Sequence, residues 1–238
     1  MADYYSYDNG GSGRRSFLDA IPVVTRNLII INVIMFVFTL LNEDFMVRTF
    51  ALFYPASALF RWWQPLTHMF MHGGFWHIFF NMYTLFIFGS VLERTIGPKR
   101  FLLFYFVTGL GAVALHMGVQ YLQLHPLQVA AAADPSVLPA FYARANVPTL
   151  GASGAIYGVL IGYAMFYPNS ILTLIFPPVS LKAKWFVLIF AGIELLTGVT
   201  GTADGVAHFA HLGGMLFGWA LMFWWRKSGR IWERDKWI

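Results

Sequence analysis

The chain contains no cysteine, and charged side chains make up only 11% of its 238 residues. The first absence excludes a disulfide, a thiolate nucleophile and a Cys-ligated metal. The second excludes an ordinary soluble surface, which needs Lys, Arg, Asp and Glu to hold it in water. Carboxylates are scarcest of all, with 11 Asp and Glu against 16 Lys and Arg. What replaces them is apolar: 58% hydrophobic residues, 18% aromatic, and a mean hydropathy of +0.60. A chain of this composition folds in lipid as an integral membrane protein, its core made by helices packing on one another.

Residues 1–25 are rich in Tyr, Ser, Gly and Asp. They lack the apolar core and small-residue cleavage site of a signal peptide, and carry Asp where a transit peptide avoids it. They read as a short disordered cytoplasmic tail. Six apolar runs follow, at 26–41, 75–92, 101–122, 153–167, 185–199 and 206–225, each a candidate span. The expected fold is therefore all-α, a polytopic six-transmembrane-helix bundle over 26–225, with a basic tail at 226–238. All of the sixteen basic residues except Arg48, Arg61 and Arg144 fall at one set of span ends, which puts both termini in the cytoplasm. The net charge of +5 reflects this bias, and nucleic-acid binding is not expected. Between spans, 42–74 carries enough Phe, Leu and Trp to lie partly in the bilayer interface, whereas 125–149 is Ala- and Pro-rich and reads as a surface excursion without chemistry.

The chemistry centres on Gly151-Ala152-Ser153-Gly154-Ala155-Ile156-Tyr157-Gly158. On its own this octapeptide is a helix-packing pattern, because small residues let membrane helices approach closely. Depth adds the rest. The run that starts at Ser153 covers only about 22 Å of a hydrocarbon core of about 30 Å, so Ser153 lies below the outer surface. His211 falls about 9 Å down the last run, and Asn81 falls at a similar depth in the second. A serine, a histidine and an asparagine then share one layer. A hydroxyl becomes a nucleophile when an imidazole takes its proton, and N–H groups at a helix start suit a developing oxyanion. Asn81, His77 and His72 could add donors from the opposite wall. The alternative is that these polar groups only bind helices together.

The three motifs resemble those of rhomboids, the family of intramembrane serine proteases. They are Gly151-Ala152-Ser153-Gly154 with Gly158, the run from Thr67-His68 through His72-Gly73-Gly74 and His77 to Asn81, and Ala210-His211-Leu212-Gly213-Gly214 with Gly218. The resemblance implies Ser153 as nucleophile, His211 as general base, and His77 and Asn81 with the Ser153 N–H as oxyanion hole. It implies a Ser–His dyad without a third acid, no metal or other cofactor, and transmembrane proteins as substrates met within the bilayer. A multi-pass protein of a bacterial cytoplasmic membrane is expected. The face of Gly214 and Gly218 is expected to let the last helix close on the one bearing Ser153.

Other residues leave alternatives. His208 could serve as base, but His211 alone is followed by Gly214-X3-Gly218. Gln64 follows Trp63 where the family often has Arg, so an Arg-anchored first loop is not expected. Asp204 lies about 10 Å before His211 on the helix, too far to orient it. Glu93 resembles the family's structural glutamate. Glu194 reads either as a helix tie or as a proton-sensitive part of a substrate gate. His208-X2-His211 is ligand-like spacing, so a zinc-dependent membrane hydrolase is one rival function, and a catalytically dead client-binding relative is another.

Overall fold

The computed structural model of the protein describes residues 20–173, 178–200 and 205–231. Most of the N-terminal tail, Asp204 and the end of the basic C-terminal tail lie outside them. Helix α1 spans Val23–Leu41 and α2 spans Glu43–Phe50; after the short α3, Gln64–Thr67, α4 (Phe75–Thr84) runs through a π-helical segment, Leu85–Gly89, into α5 (Ser90–Ile96). Then come α6 (Pro98–Ala133), α7 (Leu138–Ala145), α8 (Ser153–Phe166), α9 (Ala183–Thr200) and α10 (Gly205–Lys227). Between α8 and α9 lies one feature absent from the sequence reading. It is a two-stranded antiparallel ribbon in which β1 (Ile171–Thr173) pairs with β2 (Ser180–Lys182), Leu172 opposite Leu181.

Helices α1 and α6, the continuous Phe75–Ile96 rod and α9 are long and apolar enough to cross a membrane. The 14 residues of α8 reach only about 21 Å, and the 23 of α10 about 34 Å. In their most apolar stretches α1 and α9 bury 22% of residues and α6 buries 44%. Helices α6, α8 and α10 pack most extensively on one another and form the middle, and the less buried α1 and α9 lie outside. The outer helices present bare leucine, isoleucine and valine, among them Leu40, Leu41, Leu196 and Val199. That surface has no cost when the solvent is hydrocarbon.

Two glycines let the middle close. A Cβ on Gly214 of α10 would overlap the Gly154 carbonyl of α8, and one on Gly218 would lie 2.9 Å from Ile161 Cγ2 and 3.1 Å from Gly158 Cα. The two backbones touch directly, as the small-residue pattern implies. Phe101, Phe104 and Tyr105 of α6, Val159 of α8, Leu92 of α5 and Met222 of α10 fill the layer beyond them.

Three loop and terminus findings refine the sequence reading. Helix α1 begins at Val23, inside the expected tail, because Glu93 reaches its first turn: the carboxylate accepts from Val24 N at 2.9 Å, Thr25 N at 2.7 Å and Thr25 Oγ1 at 2.8 Å. These are donors that a helix start leaves unpaired. The segment 125–149 is largely helical. Helix α6 continues past Pro126, and Leu124 and Ala131 pack with Phe141 and Ala145 of α7 and with Tyr54 of the first loop. Finally, Gln64 anchors the first loop where an arginine is missing. Its Oε1 accepts from Arg61 N at 3.0 Å and Phe53 N at 3.4 Å, while Nε2 donates to Leu59 O at 2.9 Å and Arg48 O at 3.2 Å.

Gln64 is fully buried, so Gln64→Leu leaves the four backbone groups it serves without their partner, the buried Phe53 N–H among them. The variant is expected to lose about 2–4 kcal/mol of stability. A large drop in the thermal midpoint of detergent-solubilised protein checks this; an unchanged midpoint contradicts it.

Candidate active site

The chain arrives at α8 through a turn that only glycine adopts easily. Gly151 has φ +133°, and its N–H donates to the His68 carbonyl at 3.0 Å. A Cβ there would also press on the His77 ring, 3.0 Å from Cε1 and Nε2. The turn is further held by paired backbone bonds between Leu52 and Thr149 at 2.9 and 2.8 Å, and by Thr149 Oγ1 on His116 Nε2 at 2.9 Å. Ser153 is thereby set in the first turn of α8, where backbone N–H groups have no helical acceptor and the dipole is positive.

From α10, His211 places Nε2 at 2.9 Å from Ser153 Oγ. With the proton on Nδ1, Nε2 accepts the serine proton, which is the geometry of a nucleophile and its base. Tyr157, one turn after Ser153 on the same face of α8, lies flat on the imidazole, ring centroids 4.3 Å apart and planes 9° from parallel. A cavity of about 40 Å³ opens beside the pair, lined by His68, Gly109, Ala112, Gly151, Ala155 and Ala207 among others. It is large enough for a water molecule.

The opposite wall comes from α4 and the loop before it. His77 packs over Gly151, and the ring of His72 stands edge-on to it at 5.0 Å. Asn81 is buried with its Nδ2 unpartnered among the described residues, a donor held without an acceptor. His68 and His72 lie before the span. Burial pushes the His68 imidazole down to about 4, with its Nδ1 on the Gln64 carbonyl at 3.1 Å opposing the shift. Burial, then the neighbouring His77, pushes His72 down to about 3. Both are neutral at pH 7.

Distance excluded Asp204 as an acid beside the base, but Glu194 of α9 comes close to it. Its Oε1 lies 3.0 Å from His211 Nδ1, out of line with the ring N–H. The same oxygen accepts from Tyr157 OH at 2.5 Å, and Oε2 meets His208 Nδ1 at 2.5 Å. Glu194 is thus a helix tie joining α9 to α8 and α10, as one of its two sequence readings had it. His208 faces that carboxylate rather than the serine. The missed signal is a spacing: Tyr157 is four after Ser153, on one helix face, whereas the His208-X2-His211 spacing was read as ligand-like and proves to face both rings toward Glu194. The position of Glu194 on α9 has no counterpart pattern in sequence. Glu194, His208 and His211 also present ligand atoms within 4.8 Å of one another, the group among the described residues able to hold a metal ion.

Comparison with known proteins now decides the family. A family model described as the Rhomboid domain matches residues 59–228, which take in the whole site. The chain belongs to the rhomboid family. Among its relatives, RHOMBOID-like protein 4 of Arabidopsis thaliana is 31% identical over 68% of this chain and 33% of its own length. Rhomboid protease AarA of Providencia stuartii is 27% identical over 87% of this chain and 73% of its own, and Rhomboid-type serine protease 2 of Emericella nidulans is 29% identical over 68% and 26%. The rhomboid chain thus spans a third or less of two of these proteins. At the level of the family, the chain is a multi-pass membrane protein.

The Gly151 turn and the buried histidines each yield a test. Gly151→Ala is expected to strain the turn and displace His77, lowering the rate of Ser153 labelling by a fluorophosphonate at least ~10-fold. Near-wild-type labelling would contradict it. In the unfolded chain His68 binds a proton below pH 6.5, but in the folded chain only near 4, so the unfolded form holds more protons across that window. Stability is expected to be level above about pH 7 and to fall as pH drops from 6.5 towards 4, read by thermal midpoints across that range.

Proposed function

We propose that this protein is an intramembrane serine endopeptidase that cuts transmembrane or membrane-proximal segments of other membrane proteins, with Ser153 as nucleophile and His211 as general base. The observation that carries this reading is the 2.9 Å approach of His211 Nε2 to Ser153 Oγ at the start of a short, buried helix. Ser153 Oγ attacks the scissile carbonyl and its proton passes to His211 Nε2. The oxyanion is met by the Ser153 N–H, His77 and Asn81, the last with a free donor already in place. The C–N bond breaks as His211 returns the proton to the leaving amine, and water then releases the acyl group with His211 as base again. A substrate has to unwind locally, because a helical carbonyl is occupied by its own hydrogen bond, and small residues at the cut ease that. The basic residues at one set of span ends support both termini lying in the cytoplasm, and hence a site opening to the outer side.

A zinc-dependent hydrolase is the second reading, favoured by the converging Glu194, His208 and His211. It gives Ser153 and its glycine turn no role. A client-binding relative without activity would have no need of both Ser153 and His211. Cleavage of a single-span test substrate by detergent-purified protein separates these readings. Ser153→Ala and His211→Ala are each expected to lower cleavage by more than ~10³-fold, and a chelator to leave it unchanged. Cleavage that survives Ser153→Ala and stops with chelation would establish the metal reading.

A further inference from the structure

The family resemblance implies two catalytic groups and no acid, but α9 brings a carboxylate to the far side of the base. We propose that Glu194, held in place by Tyr157 and His208, is a positioning residue for His211, so that this chain works with a carboxylate-supported base rather than a bare dyad. The inference rests on the Ser153–His211 reading above.

Three features separate this role from a plain helix tie. Tyr157 OH and His208 Nδ1 already fasten Glu194 to α8 and α10, one to each oxygen. The third approach, Oε1 at 3.0 Å from His211 Nδ1, adds nothing to the fastening. The residue type matters as well. An ionisable group within a span is expensive, and a glutamine would tie the same helices at lower cost. A carboxylate has a specific use here, because taking the Ser153 proton turns His211 into an imidazolium whose Nδ1 lies 3.0 Å from Oε1. The acid stabilises that cation and keeps the proton on Nδ1 at rest, so that Nε2 stays an acceptor; the proton does not pass to the acid. The third feature is how the orientation is fixed. Tyr157 both lies on the face of His211 and holds the oxygen at its edge, so one side chain sets the ring plane and the position of the carboxylate together. The misalignment of the Nδ1 contact is ordinary for a resting site, where such bonds tighten when substrate binds.

The other titratable groups around His211 are Tyr157 of α8, Glu194 of α9, His208 of its own helix and His77 of α4, which lies close enough to interact with it electrostatically. Glu194 is the one anion among them. Replacing it is therefore expected to weaken the base, not only to loosen the bundle.

The test follows fluorophosphonate labelling of Ser153 in the full chain, with the maximal rate kinact and the half-saturating concentration KI measured from pH 5 to 9. Glu194→Gln is expected to lower kinact about 10–100-fold with KI within ~2-fold, and to move the acid limb of the profile down by about one pH unit. A wild-type kinact and acid limb, with only a lower thermal midpoint, would reduce Glu194 to a helix tie and overturn the proposal. If Glu194→Gln does not fold, His208→Gln keeps the acid but frees Oε2. A severalfold fall in kinact at constant KI then supports the proposal, and wild-type kinetics overturn it. Labelling that persists in Ser153→Ala would instead remove the dyad itself and this inference with it. A silent Ser153→Ala beside a wild-type-like Glu194→Gln removes this inference alone.

Discussion

Everything at the site depends on how closely α10 lies against α8. Hydrophobic sequestration does not drive helices together inside a bilayer, since lipid tails are as apolar as leucine; close van der Waals packing has to do it. Gly214 rests on the carbonyl of Gly154 and Gly218 on Gly158, so the two axes approach until backbone meets backbone. Ser153 immediately precedes Gly154, and His211 lies three residues before Gly214, nearly one turn away. The contact that fuses the helices therefore also fixes the serine-to-imidazole distance. Stability and reactivity share the same glycines.

Around that seam the protein handles polar groups by one rule: each is given partners before it is buried. Glu93 takes three donors from the start of α1, Gln64 makes four contacts across the first loop, and Glu194 gathers Tyr157 and His208 and leans on His211. In a medium without water the alternative is an unsatisfied group costing several kcal/mol. Asn81 Nδ2 and both nitrogens of His72, on the wall facing Ser153, depart from the rule, as do Asn32 Oδ1, Ser90 Oγ and Tyr105 OH elsewhere in the bundle. Of these, the Asn81 donor is the one held where a developing oxyanion would need it.

The sequence revealed the parts of this arrangement that repeat at fixed spacing. Six apolar runs give the bundle, and three short motifs place Ser153, His211, His77 and Asn81 on their helices, because glycine and polar residues within a span have few other reasons to occur together. It did not reveal what depends on one helix meeting another at an angle. Glu194 sits in an ordinary apolar run with no periodic partner, and its reach to His211 is set by the crossing of α9 and α10. The helices of 125–149 were hidden by Pro126 and by the alanine-rich composition that read as a surface excursion. Their order comes from Tyr54, more than seventy residues earlier. Gln64 looked like the loss of an arginine, and only its four neighbours make it an anchor.

Glu93 carries a consequence for how the chain is made. The first turn of α1 is completed by a carboxylate 68 residues further along, so when α1 emerges from the ribosome its leading N–H groups have no partner within the chain. The first turn of α1 therefore depends on the C-terminal end of the second span, and the register of the one helix is tied to the position of the other.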